Sequence, residues 1–333
     1  MHERMVEELC NGKYKKSVKV SNHSNYSLSK CTLVHNKYHY LRLGPFKFEV
    51  KHVNPFRAII HEFLAPYEID EITRDILPKL TPEQSKPLLI HSNLPEQSAI
   101  DNFKASSIYF GEVGMDKNER EDCGQYNCSK FLEMEKFAVT QDHTLRCRKK
   151  LIARISKKIE LSTHLMFSNQ KGNAGKFKAS LYGLGGMTEQ HSDSYGVEDE
   201  QDMSKIFKDF FKKSGDILAT VLIWISDVEI GGGTYFCSSQ SEDMILPNKG
   251  SALLWVNLNS KGSKHAQQNH GGCPVAKGKK FVITKWFYHY YQYKKFPCET
   301  KHDTSSNVHN MIYSIPNLIS RSRFKLVENK SQC

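Results

Sequence analysis

Ile217-Leu-Ala-Thr-Val-Leu-Ile-Trp-Ile-Ser226 is the stretch that decides the fold class. Its apolar run, Leu218 to Ile225, is the longest in the chain. It has the length of a buried strand and falls far short of the roughly 20 apolar residues a membrane-crossing helix requires. Similar short segments lie around it, separated by Gly-rich or polar turns: Phe177 to Tyr182, Thr234 to Cys237, Ser251 to Asn257 and Phe281 to Tyr291. Short strands spaced in this way predict an all-β sandwich or jelly roll with helices packed outside.

Upstream, Phe56-Arg-Ala-Ile-Ile-His-Glu-Phe-Leu64 reads as a strand running into a turn, and Glu68 to Leu77 has helical spacing. Phe103 to Phe110 reads as another strand, and Cys147 to Leu165 as a helix with apolar residues among basic ones. Residues 1–52, polar and rich in Lys, Ser, Asn and Tyr, read as an irregular extension. The expected organisation is therefore an extension, a domain over 53–299 with its β core at about 177–298, and a polar tail over 300–333. Val197 to Gly215, charged and carrying Phe207, Phe210 and Phe211, reads either as a lid or as an ordinary amphipathic surface helix.

The chain has 333 residues and a formal net charge of +11, but Lys and Arg are scattered and gather only in short groups such as Arg148-Lys149-Lys150. With no recognition module beside that charge, a basic surface is expected and a nucleic-acid partner is not. Nine cysteines are many for a cytosolic protein, and Asn22, Asn25, Asn127 and Asn329 each open a glycosylation acceptor pattern. Met1 to Cys10 lacks the apolar core of a secretory signal. Together these features lead to the expectation that an amino-terminal portion is missing.

The chemistry centres on His191-Ser-Asp193. Alternate side chains of a strand share a face, so this imidazole and carboxylate can converge on one ion. A second histidine from a later strand region would complete the two-His, one-carboxylate set that leaves positions open on Fe(II). His270 and His265 both qualify, and either could instead be a loop residue with no ligand role.

Tyr182-Gly-Leu-Gly-Gly186, His191-x-Asp193, Gly232-Gly-Thr234, Lys249-Gly-x-Ala252 and His270-Gly-Gly-Cys-Pro274, followed by Lys280 and Lys285-Trp286, form an ordered series. It resembles the motif series of the catalytic region of animal collagen prolyl 4-hydroxylase alpha subunits, which are iron(II)- and 2-oxoglutarate-dependent dioxygenases. The resemblance is strong from Phe177 to Cys298. It is looser upstream, in Cys10 and Cys31 and in Leu43-Gly-Pro-Phe-Lys-Phe-Glu49, and 112–147 looks expanded.

The resemblance implies a double-stranded β-helix dioxygenase core, with His191, Asp193 and His270 as iron ligands. It places Lys280 on the distal carboxylate of 2-oxoglutarate, where related oxygen-sensing prolyl hydroxylases and lysyl hydroxylases generally use arginine. Tyr182 and Thr234 would line the cosubstrate pocket and Trp286 would border the substrate proline; core packing is the alternative for Tyr182 and Trp286. Disulfides Cys273–Cys298 and Cys10–Cys31 are implied in the same way.

The implied reaction couples decarboxylation of 2-oxoglutarate to hydroxylation of a peptidyl proline at C4, with L-ascorbate restoring oxidised iron. The implied substrate is a proline-rich or collagen-like peptide, the implied partner protein disulfide isomerase in an α2β2 tetramer, and the implied compartment the lumen of the endoplasmic reticulum. Where the family usually has Tyr-Glu-Pro-His-Phe-Asp, this chain has Thr188-Glu-Gln-His-Ser-Asp193. Two aromatic rings and a proline are lost beside intact ligands, so a different peptide preference or weak activity is expected. A hydroxylase of another peptide or amino acid, or a catalytically silent binding relative, are the alternatives.

Overall fold

A computed structural model describes residues 31–34, 39–52, 55–82, 105–110, 149–166, 173–196, 212, 214–237, 242–259, 262–290 and 292. In chain order its elements are β1 (Cys31–Val34), β2 (Phe46–His52), β3 (Arg57–His61), a first helix (Pro66–Ile76), β4 (Thr81–Pro82), β5 (Ala105–Phe110) and a second helix (Lys149–Thr163). There follow β6 (Phe177–Tyr182), β7 (Thr188–His191), β8 (Ile217–Trp224), β9 (Ile230–Gly231), β10 (Thr234–Cys237) and β11 (Glu242–Ile245). β12 (Ala252–Val256), β13 (His270–Gly272), β14 (Val275–Lys277) and β15 (Lys280–Tyr288) complete the series, with short 3-10 turns between.

Nine strands form one antiparallel sheet in the order β1-β2-β3-β12-β8-β15-β6-β5-β4, and a smaller sheet has the order β11-β10-β13-β7. The two sheets are the layers of a jelly roll. Side-chain alternation explains why both faces of the larger one are apolar. Ala58, Ile60, Val221, Ile223, Ala252, Leu254, Phe281 and Ile283 pack on one face with Ile69, Ile72 and Ile76 of the first helix and Leu151, Ile155 and Ile159 of the second. Their out-of-phase neighbours Ile59, Trp224, Leu253, Trp255 and Val282 meet Phe236 and Ile245 of the smaller sheet on the other. The helices thus close one face of the large sheet, and the interior between the sheets is left for a site.

A charged link joins the helices. Glu68, fully buried, accepts the Ala65 N–H at 2.9 Å at the start of the first helix and pairs with Lys158 of the second. That helix begins at Pro66, two residues earlier than its apolar spacing indicates, because proline at the first helical position is already set at helical φ. Expected strands at Phe177 to Tyr182 and Thr234 to Cys237 coincide with β6 and β10.

The irregular character expected for 1–52 does not hold for β1 and β2. They extend the large sheet from β3, with Phe48 fully buried; β1 is only four residues long, and the alternation of β2 is masked by Lys47, Glu49 and Lys51. Residues 112–147, the tail over 300–333 and nearly all of Val197 to Gly215 lie outside the described residues.

Candidate active site

β7 and β13 are neighbours in the smaller sheet, with His191 directly opposite His270. Their ring centroids lie 4.4 Å apart. Asp193 is not on the strand with His191. β7 ends at His191, and Asp193 lies in the loop beyond, held there by side chains from elsewhere. Thr220 of β8 donates its hydroxyl to Asp193 Oδ2 at 2.6 Å, and Asn257 donates to Thr220 Oγ1 at 2.9 Å. Two residues further on, the N–H groups of Tyr195 and Gly196 donate to the buried Asp216 carboxylate at 3.1 and 2.7 Å. Convergence thus depends on a cross-sheet clamp as well as on strand alternation.

His191 Nε2 lies 3.6 Å from Asp193 Oδ1 and His270 Nε2 3.7 Å from Asp193 Oδ2. One donor atom from each residue lies within 4.8 Å of the other two, a spacing one ion can bridge. Both imidazoles are oriented the same way: His191 Nδ1 meets the Glu189 carbonyl at 2.8 Å, and His270 Nδ1 meets the Gln268 carbonyl at 2.8 Å. With the Nδ1 proton committed to a carbonyl, each Nε2 lone pair is left for a metal.

Gln268 is itself fixed by its side-chain Nε2, which donates to the Phe56 and Val256 carbonyls at 3.1 and 2.9 Å, and Trp255 packs edge-on against His270 at 4.8 Å. Burial raises the Asp193 carboxyl, but the two histidines and the Thr220 hydroxyl outweigh it and hold its pKa down to about 2. Gly271 must lack a side chain, because a Cβ there would lie 2.4 Å from the Tyr235 hydroxyl. The donor set is that of a divalent transition metal.

From the triad a cavity of about 120 Å³ runs along β6 and β15. At its closed end Lys280 is 5% exposed, and its only polar contact within the described residues is the Thr234 hydroxyl at 3.4 Å. Burial lowers its pKa to about 8, and among the described residues no carboxylate meets it. Thr188 donates to the Tyr182 hydroxyl at 3.1 Å beside it. A buried cation with hydroxyls around it and no anion of its own fits one end of a dicarboxylate.

The structure brings together His191, Asp193, His270, Lys280, Tyr182, Thr234 and Trp286 around this one cavity. His265 is not part of the triad; it opens a short 3-10 turn, and burial lowers its pKa to about 4. Cys273 is buried and disulfide-bonded. Cys298, Cys10 and the Cys31 side chain lie outside the described residues. Sequence reading misses Thr220, Asn257, Gln268 and Lys178. Thr188 is foreseen only as a missing ring, whereas its hydroxyl joins the polar lining.

Residues 177–288 match the 2OG-Fe(II) oxygenase superfamily model. The alpha-3 subunit of Homo sapiens prolyl 4-hydroxylase is 26% identical over 270 residues, covering 81% of this chain and 40% of that protein. The alpha-1 subunit of Gallus gallus prolyl 4-hydroxylase is 34% identical over 148 residues, covering 44% of this chain and 26% of that protein. This chain thus spans well under half the length of these relatives. The crystal structure of the viral collagen prolyl hydroxylase of Paramecium Bursaria Chlorella virus-1 has 17% identity and a TM-score of 0.39, over 70% of this chain and 95% of that one.

Proposed function

Residues 177–288 form a 2OG-Fe(II) oxygenase domain, and from that premise we propose that the protein hydroxylates peptidyl proline at C4, using Fe(II), O2 and 2-oxoglutarate. The observation that carries the reading is the convergence of His191, Asp193 and His270 on one point, with the buried Lys280 ammonium at the closed end of the same cavity. Prolyl 4-hydroxylase subunits among the relatives support the choice of substrate.

Ferrous iron, when bound, would activate O2, the oxidant, with 2-oxoglutarate giving up two electrons and the substrate two: one oxygen atom leaves in succinate as carbon dioxide is released, and the other enters the substrate C–H bond. The chain supplies placement. His191, Asp193 and His270 would hold the metal from one side and leave the other open. Lys280, Thr234 and Tyr182 would hold the distal carboxylate, so the cosubstrate enters in one orientation. Thr220, itself fixed by Asn257, helps to hold Asp193 as a carboxylate, and the Gln268 carbonyl, by accepting from Nδ1, would leave the Nε2 lone pair of a neutral His270 for the metal. Trp255, Phe236 and Val282 supply a dry wall. Trp286 at the open end would border the proline ring.

The same reading takes in ascorbate as reductant, a Cys273–Cys298 disulfide, and residence in the endoplasmic reticulum lumen in company with protein disulfide isomerase. Its support there is the disulfide-bonded Cys273, the cysteine count and the glycosylation patterns.

The test is mass spectrometry of proline-containing peptides after incubation with protein, Fe(II), 2-oxoglutarate and 18O2. One 18O atom at proline C4, with matching succinate, is expected. Oxygen placed on another residue would overturn the prolyl assignment, and binding of peptide with neither hydroxylation nor succinate would favour the silent relative.

A further inference from the structure

Two adjacent rows of the smaller sheet differ in chemistry. One runs Phe236, His270, His191 across β10, β13 and β7, and carries two of the three triad residues. The other runs Thr234, Gly272, Thr188 across the same strands. Two residues of β13 separate the rows, roughly 7 Å at about 3.3 Å per residue. A bulge is what turns Thr188 inward. Between the rows two residues of β7 oppose one of β13. Strict alternation would put Thr188 and His191, three residues apart, on opposite faces; the extra residue returns them to one, and both line the cavity.

Gly272 keeps the second row open. A Cβ there would lie 3.5 Å from both Lys280 Nζ and Thr188 Oγ1, so ammonium and hydroxyl meet above a residue with no side chain. From the larger sheet, the cross-strand pair Lys280 and Tyr182 completes the group. Hydrogen-bond direction then sorts it. Lys280 donates to Thr234 Oγ1 at 3.4 Å, and Thr188 donates to the Tyr182 hydroxyl at 3.1 Å. Thr234 and Tyr182 are the acceptors in these bonds, and the single hydroxyl proton of each is left for a ligand. A carboxylate only accepts, so two hydroxyl protons beside an ammonium suit it.

We infer that Thr188 is a positioning residue for the cosubstrate: by donating to Tyr182 it turns the phenol proton toward the distal carboxylate of 2-oxoglutarate. This rests on the oxygenase reading. It also moves the consequence of a threonine at this position from the wall that receives the peptide, where the resemblance leads one to expect a ring, to the end of the cavity that holds the cosubstrate. Thr188 acts through Tyr182, and its worth is that of one oriented hydroxyl.

The test is anaerobic calorimetric titration of 2-oxoglutarate into the Mn(II)-loaded protein. Thr188→Val keeps the shape and loses the hydroxyl, and should weaken binding about three- to tenfold, the loss expected of one hydrogen bond. Thr188→Ser should recover most of it. Because the effect passes through the phenol, Thr188→Val added to Tyr182→Phe should weaken binding no further than Tyr182→Phe alone. Mn(II) affinity, followed by electron paramagnetic resonance, should be unchanged in Thr188→Val, since a displaced β7 would carry His191 with it. Unchanged 2-oxoglutarate affinity in Thr188→Val, equal defects in Val and Ser, a full further loss in the Tyr182→Phe background, or weakened Mn(II) binding would each overturn the inference and leave the oxygenase reading standing. No binding of 2-oxoglutarate by the unaltered Mn(II) protein would instead bring down the oxygenase reading, and the inference with it.

Discussion

His191 of β7 and His270 of β13 are direct cross-strand partners, so a single register of the smaller sheet sets the distance between two imidazoles 79 residues apart in sequence. A one-residue slip would turn one of them to the opposite face. His191→Ala, Asp193→Ala and His270→Ala should each weaken Mn(II) binding, followed by electron paramagnetic resonance, by more than the roughly 10–100-fold expected of an outer-shell change. His265→Ala should leave it unaltered. Loss of metal in His265→Ala and not in His270→Ala would show the wrong histidine has been chosen.

Thr220 would act on a bound metal through Asp193. Its hydroxyl donates to Oδ2 at 2.6 Å and is itself fixed by Asn257 at 2.9 Å. Thr220→Val keeps the shape and removes the donor, and should lower Mn(II) affinity by about 10–100-fold. Thr220→Ser should recover most of the loss. Equal defects in Val and Ser would mean that packing, and not the hydrogen bond, is what matters.

Lys280 gives the site a pH signature. Burial lowers its pKa to about 8, so in the ligand-free protein the ammonium begins to lose its proton as pH rises through that value. Affinity for 2-oxoglutarate should therefore fall above pH 8, since the dicarboxylate must first restore that proton. The stability sign is the reverse. A folded pKa below the ordinary 10.5 means that the unfolded chain holds more protons between pH 8 and 10.5, so this group's unfavourable contribution diminishes across that window. Lys280→Ala should remove the alkaline loss of affinity along with most of the affinity itself, and Lys280→Arg should be only partly tolerated. Titration of 2-oxoglutarate at pH 7 and pH 9 measures both effects.

Glu68 tests the scaffold away from the chemistry. It is fully buried, accepts the Ala65 N–H and pairs with Lys158. Glu68→Ala removes these contacts and a longer one to Arg154 at 3.7 Å, but leaves Lys158, 29% exposed, able to reach water. A loss of about 1.5–3 kcal/mol in urea unfolding is expected, the range for a charge-assisted hydrogen bond.

What the sequence makes legible is what period and chemistry encode. β6, β8, β10, β12 and β15 are visible because apolar runs of strand length are bounded by glycine or polar turns, and the Ile69, Ile72 and Ile76 stripe marks the first helix. The candidate triad is legible because His-x-Asp and a distant histidine are the residues that such chemistry uses.

β2 was hidden by its charged residues Lys47, Glu49 and Lys51, and β1 by its length of four residues. Thr220, Asn257 and Gln268 could not be found because their roles depend on contacts between segments distant in sequence, as in the Asn257–Thr220 bond over 37 residues and the Gln268–Phe56 bond over 212. Lys178 looked like any surface lysine, and only its pairing opposite Thr284 places it in the cavity. A signal did exist for it, since Lys178, Ser180 and Tyr182 share one parity on a strand whose other residues, Phe177, Ala179 and Leu181, are apolar.

The most direct measurement is anaerobic calorimetric titration of 2-oxoglutarate into the protein with and without Fe(II). One site that requires the metal, is lost in His270→Ala and is weakened at least about tenfold in Lys280→Ala is the predicted result. Binding that ignores the metal, or no binding in its presence, would contradict the assignment of this cavity to an iron and a dicarboxylate.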